Sequence, residues 1–485
     1  MSVATNPETI EKNLHLWIGG RHVAGSQNPV PVLNPSTGTV IATVSDATVE
    51  EGLGAVEAAA AALPAWKATN PRRRAEILRR CFDLMTEQTE QIAELIAVEN
   101  GKTLADARSE TAYAAEFFRW YSEEAVRARG QLATSPSGAN RILTQWEPIG
   151  VAVLVTPWNF PAAMATRKIA PALAAGCSVV LKPATETPLT AFLIAQCCRD
   201  AGVPDGVVNV VTTASAGPVV SAMLHHPQVR ALSFTGSTEV GRILLREAAD
   251  NVLKTSMELG GNAPFLVFDD ADLDETVEGL MIAKMRNGGQ ACTAANRIYA
   301  QKGIAVELGR RLAERMGRLV IGAGNDPATE SGPLINDAAV HKVQELVSAA
   351  VSDGAEILAG GSRPNRPGYF YEPTVLVNVH RESRIVSEEI FGPVASIITF
   401  ETEDEAVNDA NSTTYGLAAY VYTRDLRRGL SVADRLESGM VAINQGLLSD
   451  PAAPFGGVKQ SGLGREGSQD GMLEFMETKY IATKW

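Results

Sequence analysis

One of the five cysteines, Cys292, lies in the run Asn287-Gly288-Gly289-Gln290-Ala291-Cys292-Thr293-Ala294-Ala295-Asn296, among small or neutral side chains. Large apolar neighbours bury a structural thiol, whereas paired glycines let backbone and ligand come close to a sulfur. Such a thiol is a candidate nucleophile, and its chemistry needs a base and a donor for the oxyanion that addition creates. Pro157-Trp158-Asn159-Phe160-Pro161 follows an apolar run, and its two prolines fix the backbone so that the Asn159 amide can serve as that donor. Met257-Glu258-Leu259-Gly260-Gly261-Asn262 places a carboxylate, able to take a proton from thiol or water, before two glycines. Lys182-Pro183-Ala184-Thr185 ends another apolar run with a cation and a hydroxyl. Phe234-Thr235-Gly236-Ser237-Thr238-Glu239-Val240-Gly241 reads as a turn into a helix whose free amides suit a pyrophosphate. Each group alone has a structural explanation: a buried thiol, a turn asparagine, a solvated glutamate. Together they meet at one predicted sheet edge.

The elements that must position these groups follow from periodicity. Residues 151 to 156, 178 to 182, 207 to 211 and 231 to 234 are compact, valine-rich apolar runs, with helical stretches starting near Pro161, Thr187, Ala216 and Ser237. That alternation predicts an α/β fold with a Rossmann-like parallel sheet covered on both faces, and ligands at the carboxyl ends of its strands. Upstream, residues 16 to 26 and the stretch around Pro35 to Gly38 read as hairpins. Thr48 to Trp120 reads as helices punctuated by Pro64, Pro71 and Gly101, with Arg72-Arg73-Arg74 as a solvated helix start. Gly101-Lys102-Thr103 looks like the end of a phosphate loop, but that motif requires glycine at position 96, where Ile96 stands. Residues 126 to 147 break helical periodicity and read as a protruding hairpin suited to oligomer contacts. Beyond Glu258 a second α/β unit begins, with helices at about 272 to 286 and 304 to 317, and the tail ends in a last strand. Without Gly/Ser or Pro-rich linkers, the units should pack tightly.

Composition narrows the partners. The 485 residues are 45% hydrophobic and 20% charged, with a formal net charge of −13, which argues against nucleic acid or an anionic membrane as partner. The cysteines are irregularly spaced without a CxxC pair, and the six histidines form no HExxH, so no metal is expected. The amino terminus lacks the basic and apolar segments of a secretion signal, and no run of about 18 apolar residues occurs, so a cytoplasmic location is expected.

The ordered blocks TPWNFP (156 to 161), LKPA (181 to 184), FTGSTEVG (234 to 241), ELGGNAP (258 to 264), GQAC (289 to 292), EEIFGPV (388 to 394) and PFGGVKQSGLGREG (454 to 467) resemble the aldehyde dehydrogenase superfamily over nearly the whole chain. The GxGxxG within the last block has no βαβ unit around it and does not mark a dinucleotide site. The resemblance implies a cofactor-binding domain (1–125 and 148–257), a catalytic domain (258–472) and a small β oligomerisation arm (126–147 and 473–485), assembled as a homodimer or homotetramer. It implies Cys292 as nucleophile, Asn159 and the Cys292 backbone N–H as oxyanion donors, and Glu258 as the base that activates the deacylating water. Lys182 and Glu389 would hold ribose hydroxyls, Gly236 and Ser237 the pyrophosphate, and Trp158, Leu259 and Phe391 would line the cofactor cleft. The implied reaction is oxidation of an aldehyde to an acid: thiolate addition, hydride loss to the nicotinamide, and hydrolysis of the thioester.

Relatives that prefer NAD commonly carry a glutamate three residues after the lysine, where this chain has Thr185. A neutral hydroxyl removes the repulsion of a 2′-phosphate, so NADP is expected to be accepted, up to preference over NAD, while Glu186 keeps NAD open. The blocks around Ala165-Thr166-Arg167-Lys168 and Lys284-Met285-Arg286-Asn287, and the ending QSGLGREGS, most resemble the succinate-semialdehyde dehydrogenase branch. That branch implies Arg167 and Arg286, with Phe455, at the substrate, the guanidiniums forking onto its far carboxylate. Asp450 departs from the branch, and an acid facing the tunnel would oppose an anion. Other ω-carboxy, aromatic or aliphatic aldehydes therefore remain alternatives. So do a non-catalytic binding protein of this fold and acyl transfer to coenzyme A, both disfavoured by the presence of Glu258 with Cys292 and Asn159.

Overall fold

The computed structural model describes residues 13–484, so residues 1–12, read above for a secretion signal, and the final Trp485 lie outside the described residues. Every residue of the strands Val151–Val155 and Ser178–Lys182 is buried, as continuous apolar runs require of a sheet covered on both faces. They are the centre of an eight-stranded sheet. From Val151–Val155 the chain steps outward through Ser178–Lys182 to Val208–Val210. It then returns to the other side of Val151–Val155 with Val229–Thr235 and Lys254–Glu258, all in parallel. The reversal of strand order opens a crevice at the carboxyl ends of Val151–Val155 and Val229–Thr235, where doubly wound sheets bind ligands. The hairpin Leu16–Ile18 and Arg21–Val23 closes one edge. The short strand Gly462–Leu463 closes the other, pairing Glu258 with Gly462.

After Glu258 the chain crosses into a seven-stranded sheet. Its central strand Ala295–Gln301 lies between Ala263–Val267 and Val394–Phe400, again in parallel. The strands Gln131–Thr134, Arg141–Pro148 and Met476–Thr483 form a separate antiparallel sheet with Leu132 and Tyr480 exposed.

Two expectations for the helical region need correction. Pro64 does not punctuate: one helix runs Val49–Ala68, closed at its start by a Thr48/Glu51 capping box. An internal proline forfeits a hydrogen bond and costs about 3 kcal/mol, and burial of Val56, Ala59 and Trp66 offsets it. The arginine run is only partly solvated. Arg72 and Arg73 are exposed at the start of helix Pro71–Glu87, but Arg74 is buried and its Nε donates to the Ala174 carbonyl at 3.1 Å. It thereby places a cation on the last turn of helix Pro161–Ala175.

Candidate active site

The residues Thr156 to Phe160 leave the first crevice strand and enter helix Pro161–Ala175, whose first position is a proline that already has the helical φ. Asn159 in this turn is buried. Its Nδ2 donates to the Gln290 carbonyl at 3.1 Å, and its own carbonyl accepts from Asn287 Nδ2 at 2.8 Å. The turn is thus tied to the loop carrying Cys292. One N–H of the amide is used by Gln290 and the second is left for a ligand.

Asn287, Gly288 and Gly289 all have positive φ, which carries the chain from helix Leu273–Met285 into a tight reversal before the nucleophile. Gly289 is required by its packing: a Cβ there would lie 2.2 Å from the Gly392 carbonyl oxygen. Gly261 serves similarly, since its Cβ would meet the Cys292 carbonyl oxygen at 2.2 Å. The glycines therefore make room for backbone around the thiol. Cys292 itself is half-buried and faces a cavity of about 500 Å³. Burial pushes its thiol up to about 12, with Glu389 and Glu258 adding to the rise and Arg167 and Arg286 opposing it.

Glu258 ends its strand beside Thr235 and is buried, yet it is absent from the residues lining this cavity. Neither carboxylate oxygen has a hydrogen-bond partner among the described residues. Burial, and next the charge of Glu466, raises its carboxyl well above the usual range, while Arg167, Lys168 and Arg465 pull the other way. A buried acid with both oxygens unpaired is costly. Its charge is among those that act on the Cys292 thiol, so that, deprotonated and turned into the cavity, it can serve as a base there.

The other half of the cavity is lined by Trp158, Lys182, Thr185, Glu186, Gly236, Ser237, Leu259, Glu389 and Phe391. Ser237 caps helix Thr238–Asp250, accepting from Val240 N at 3.3 Å, so the first amides of that helix face the crevice. Gly236 has no room for a side chain, since a Cβ would lie 2.5 Å from the Phe234 ring. Phe391 adopts φ of 55° and meets the Trp158 ring edge-on at 5.4 Å. A bulky residue in the left-handed region is strained, and here the strain presents an aromatic wall. Glu389 accepts from Gly261 N at 3.2 Å, and burial raises its carboxyl to about 7. A helix start, a lysine, hydroxyls and a carboxylate within one aromatic-walled cleft fit a dinucleotide.

Arg167, Arg286 and Phe455 line the opposite end. The two arginines differ. Arg167 is buried, donates to the Tyr113 hydroxyl at 2.5 Å and to Glu466 at 3.4 Å, and stacks over Phe455 at 4.1 Å. Glu466 also accepts from Lys168 Nζ at 2.5 Å, and Lys168 donates on to Ser233. Arg286 has no carboxylate within ion-pairing distance among the described residues. It lies over Phe160 at 4.6 Å and reaches only the Ser449 hydroxyl, at 3.4 Å. It also lines a second cavity, of about 590 Å³, shared with Phe160 and Ser449.

Asp450 does not face the tunnel. It is exposed and its Oδ1 accepts from Ala452 N at 2.8 Å, holding a local turn, so Ser449 is the residue of that loop in the cavity. The expected opposition to an anion therefore disappears. Sequence reasoning missed Ser449 by one position, because a loop has no period from which to read a facing side. It missed Glu466 and Lys168 because nothing local marks them; their pairing joins residues 298 apart in the chain.

The protein-family model for the aldehyde dehydrogenase family matches residues 22–481. A succinate-semialdehyde dehydrogenase of Paenarthrobacter nicotinovorans is 55% identical over 442 residues, which cover 91% of this chain and 98% of that protein. A glutarate-semialdehyde dehydrogenase of Pseudomonas putida is 49% identical, covering 94% and 95%. The crystal structure of an E. coli NADP-dependent enzyme superposes with a TM-score of 0.96 at 46% identity, covering 98% of each chain.

Proposed function

The chain belongs to the aldehyde dehydrogenase family and is an NAD(P)-dependent oxidoreductase of aldehydes, and from that premise we propose that its substrate is succinate semialdehyde, oxidised to succinate. The observation that carries this reading is Arg286: a guanidinium in the wall of the Cys292 cavity, beside a serine hydroxyl, with no anionic partner among the described residues. A semialdehyde bound with its carbonyl at Cys292 would supply that partner at its far end.

The roles follow from position. Cys292 Sγ adds to the aldehyde carbon as the thiolate, its proton lost to solvent. The oxyanion that forms takes the free N–H of Asn159 and the backbone N–H of Cys292, donors fixed before the reaction begins. Lys182, Thr185, Gly236, Ser237, Leu259, Trp158, Phe391 and Glu389 would hold the cofactor, which when bound supplies the hydride acceptor. Glu258 then takes a proton from water for attack on the Cys292 thioester, releasing the acid. Thr185 supports acceptance of NADP, and Glu186 in the same wall supports retained use of NAD.

The division into cofactor-binding (1–125 and 148–257), catalytic (258–472) and arm (126–147 and 473–485) units is part of this proposal, supported by the crossing between the two large sheets after Glu258. So is a homodimer or homotetramer, supported by the exposed arm sheet. No helix among the described residues is long and apolar enough to cross a membrane. A cytoplasmic location is proposed from the free, irregularly spaced cysteines.

Steady-state rates with succinate semialdehyde, glutarate semialdehyde, butanal and benzaldehyde, each with NAD and NADP, test the reading. Succinate semialdehyde should give the highest kcat/KM with both cofactors; a neutral aldehyde equalling it would overturn the substrate assignment. The second cavity beyond Arg286 favours glutarate semialdehyde as the next-best substrate, since it gives a longer chain room to displace the guanidinium outward.

A further inference from the structure

We propose that Lys102 is a positioning residue for the oxyanion donor, its ammonium fixing the turn that presents the Asn159 amide. The inference rests on the reading of Asn159 as that donor. Gly101-Lys102-Thr103 is not a phosphate loop, and the structure gives its lysine a different setting. Lys102 is buried, lies over the Phe160 ring at 4.0 Å, and donates from Nζ to Glu110 Oε2 at 2.5 Å and to the Asn159 carbonyl at 2.7 Å. The other oxygen of Glu110 accepts from Ala162 N at 2.9 Å and Ala163 N at 3.2 Å. Those are early amides of helix Pro161–Ala175, which has no side-chain cap of its own. The two halves of one buried ion pair therefore hold the turn at its carbonyl and at the helix start that follows.

The same segment holds the nucleophile loop. Thr103 caps the helix Leu104–Glu124, and Asp106 in its first turn accepts from Asn287 N at 2.9 Å. Asn287 in turn shares the Asn159 carbonyl with Lys102. Burying a lysine and a glutamate costs desolvation, and an apolar pair of similar volume would stabilise the fold as well. What an apolar pair lacks is a donor for the Asn159 carbonyl. With that carbonyl held by two donors, the main chain that carries the Asn159 amide is fixed, and the amide itself is held by its bond to the Gln290 carbonyl.

A double-mutant cycle in the full-length enzyme decides. Lys102→Met, Asn159→Ala and the double variant are compared in aldehyde kcat/KM, NADP affinity and Tm. Lys102→Met should lose about 10- to 100-fold in kcat/KM, the scale of a misplaced catalytic group, with NADP affinity unchanged. The double variant should be no slower than Asn159→Ala, because the lysine acts only through that side chain. Lys102→Arg, which keeps a donor, should recover most of the rate. Losses that multiply, no loss in Lys102→Met, or NADP affinity falling in step with rate would each overturn the inference. Should Lys102→Met not fold, Glu110→Gln enters the same cycle under the same criteria. Asn159→Ala alone tests the underlying reading: full activity there removes the donor role itself, whereas an impaired Asn159→Ala with multiplying losses removes only the part given to Lys102.

Discussion

Replacing Arg286 with methionine separates the carboxylate-binding reading from a merely structural one. The guanidinium is half-buried, stacks on Phe160 at 4.6 Å and holds nothing stronger than the Ser449 hydroxyl at 3.4 Å. Methionine keeps the packing of the stem on the ring and removes the charge. A substrate carboxylate in the fork of this arginine would accept two charge-assisted hydrogen bonds, each about 1.5–3 kcal/mol. Discounting their sum by roughly a third to a half for the solvent that reaches a half-buried group leaves about 3 kcal/mol. At ~1.36 kcal/mol per factor of ten, kcat/KM for succinate semialdehyde should fall about 150-fold. Butanal, of equal length without the carboxylate, should be unaffected. The assay is the initial rate of reduced-cofactor formation at saturating NADP, varying each aldehyde. Equal losses on both aldehydes, or none on succinate semialdehyde, would refute the assignment. Arg167→Met is the contrasting variant: Arg167 already pairs with Glu466 and Tyr113, so its loss should impair both aldehydes and lower Tm.

Glu258→Gln should let acylation proceed but slow deacylation about 10²–10⁴-fold, seen as a burst of reduced cofactor, one per site, and an acyl adduct on Cys292 by mass spectrometry; linear progress from the first turnover would count against a deacylating base. The reactive forms of Cys292 and Glu258 are the deprotonated ones and both groups are shifted upward, so kcat/KM should keep climbing as pH is raised from neutral into the alkaline range, and a profile falling over that range would contradict it. Glu466→Ala leaves Arg167 and Lys168 buried without their carboxylate and should cost about 3–5 kcal/mol in chemical denaturation. Thr185→Glu introduces a charge facing a 2′-phosphate and should shift the NAD to NADP ratio of kcat/KM toward NAD by about tenfold or more; an unchanged ratio would show that Thr185 does not face the ribose.

Much of the frame was legible because it is local. The strands near 151, 178, 208 and 231 are continuous apolar runs, and two of the helices after them start at Pro161 and, behind the Ser237 cap, at Thr238, where proline or a capping residue marks the start. Asn159, Lys182, Gly236 and Glu258 follow or end such strands, so their convergence was a matter of topology. Pro64 was misread because propensity is a local quantity and the packing of Trp66 is not. Asp450 was misread because loops carry no period.

By itself the sequence determined which groups would do the chemistry: thiol, amide, carboxylate and lysine are set by residue type and by position at strand ends. Only the tertiary structure decided their state. It turned Glu258 out of the cavity and raised its carboxyl, occupied Arg167 with Glu466 while leaving Arg286 open, put Ser449 rather than Asp450 at the tunnel, and gave Lys102 the Asn159 carbonyl. Each of these depends on distance and burial between segments far apart in the chain, because the strength of a charge or a hydrogen bond is fixed by its surroundings, and no stretch of sequence contains them.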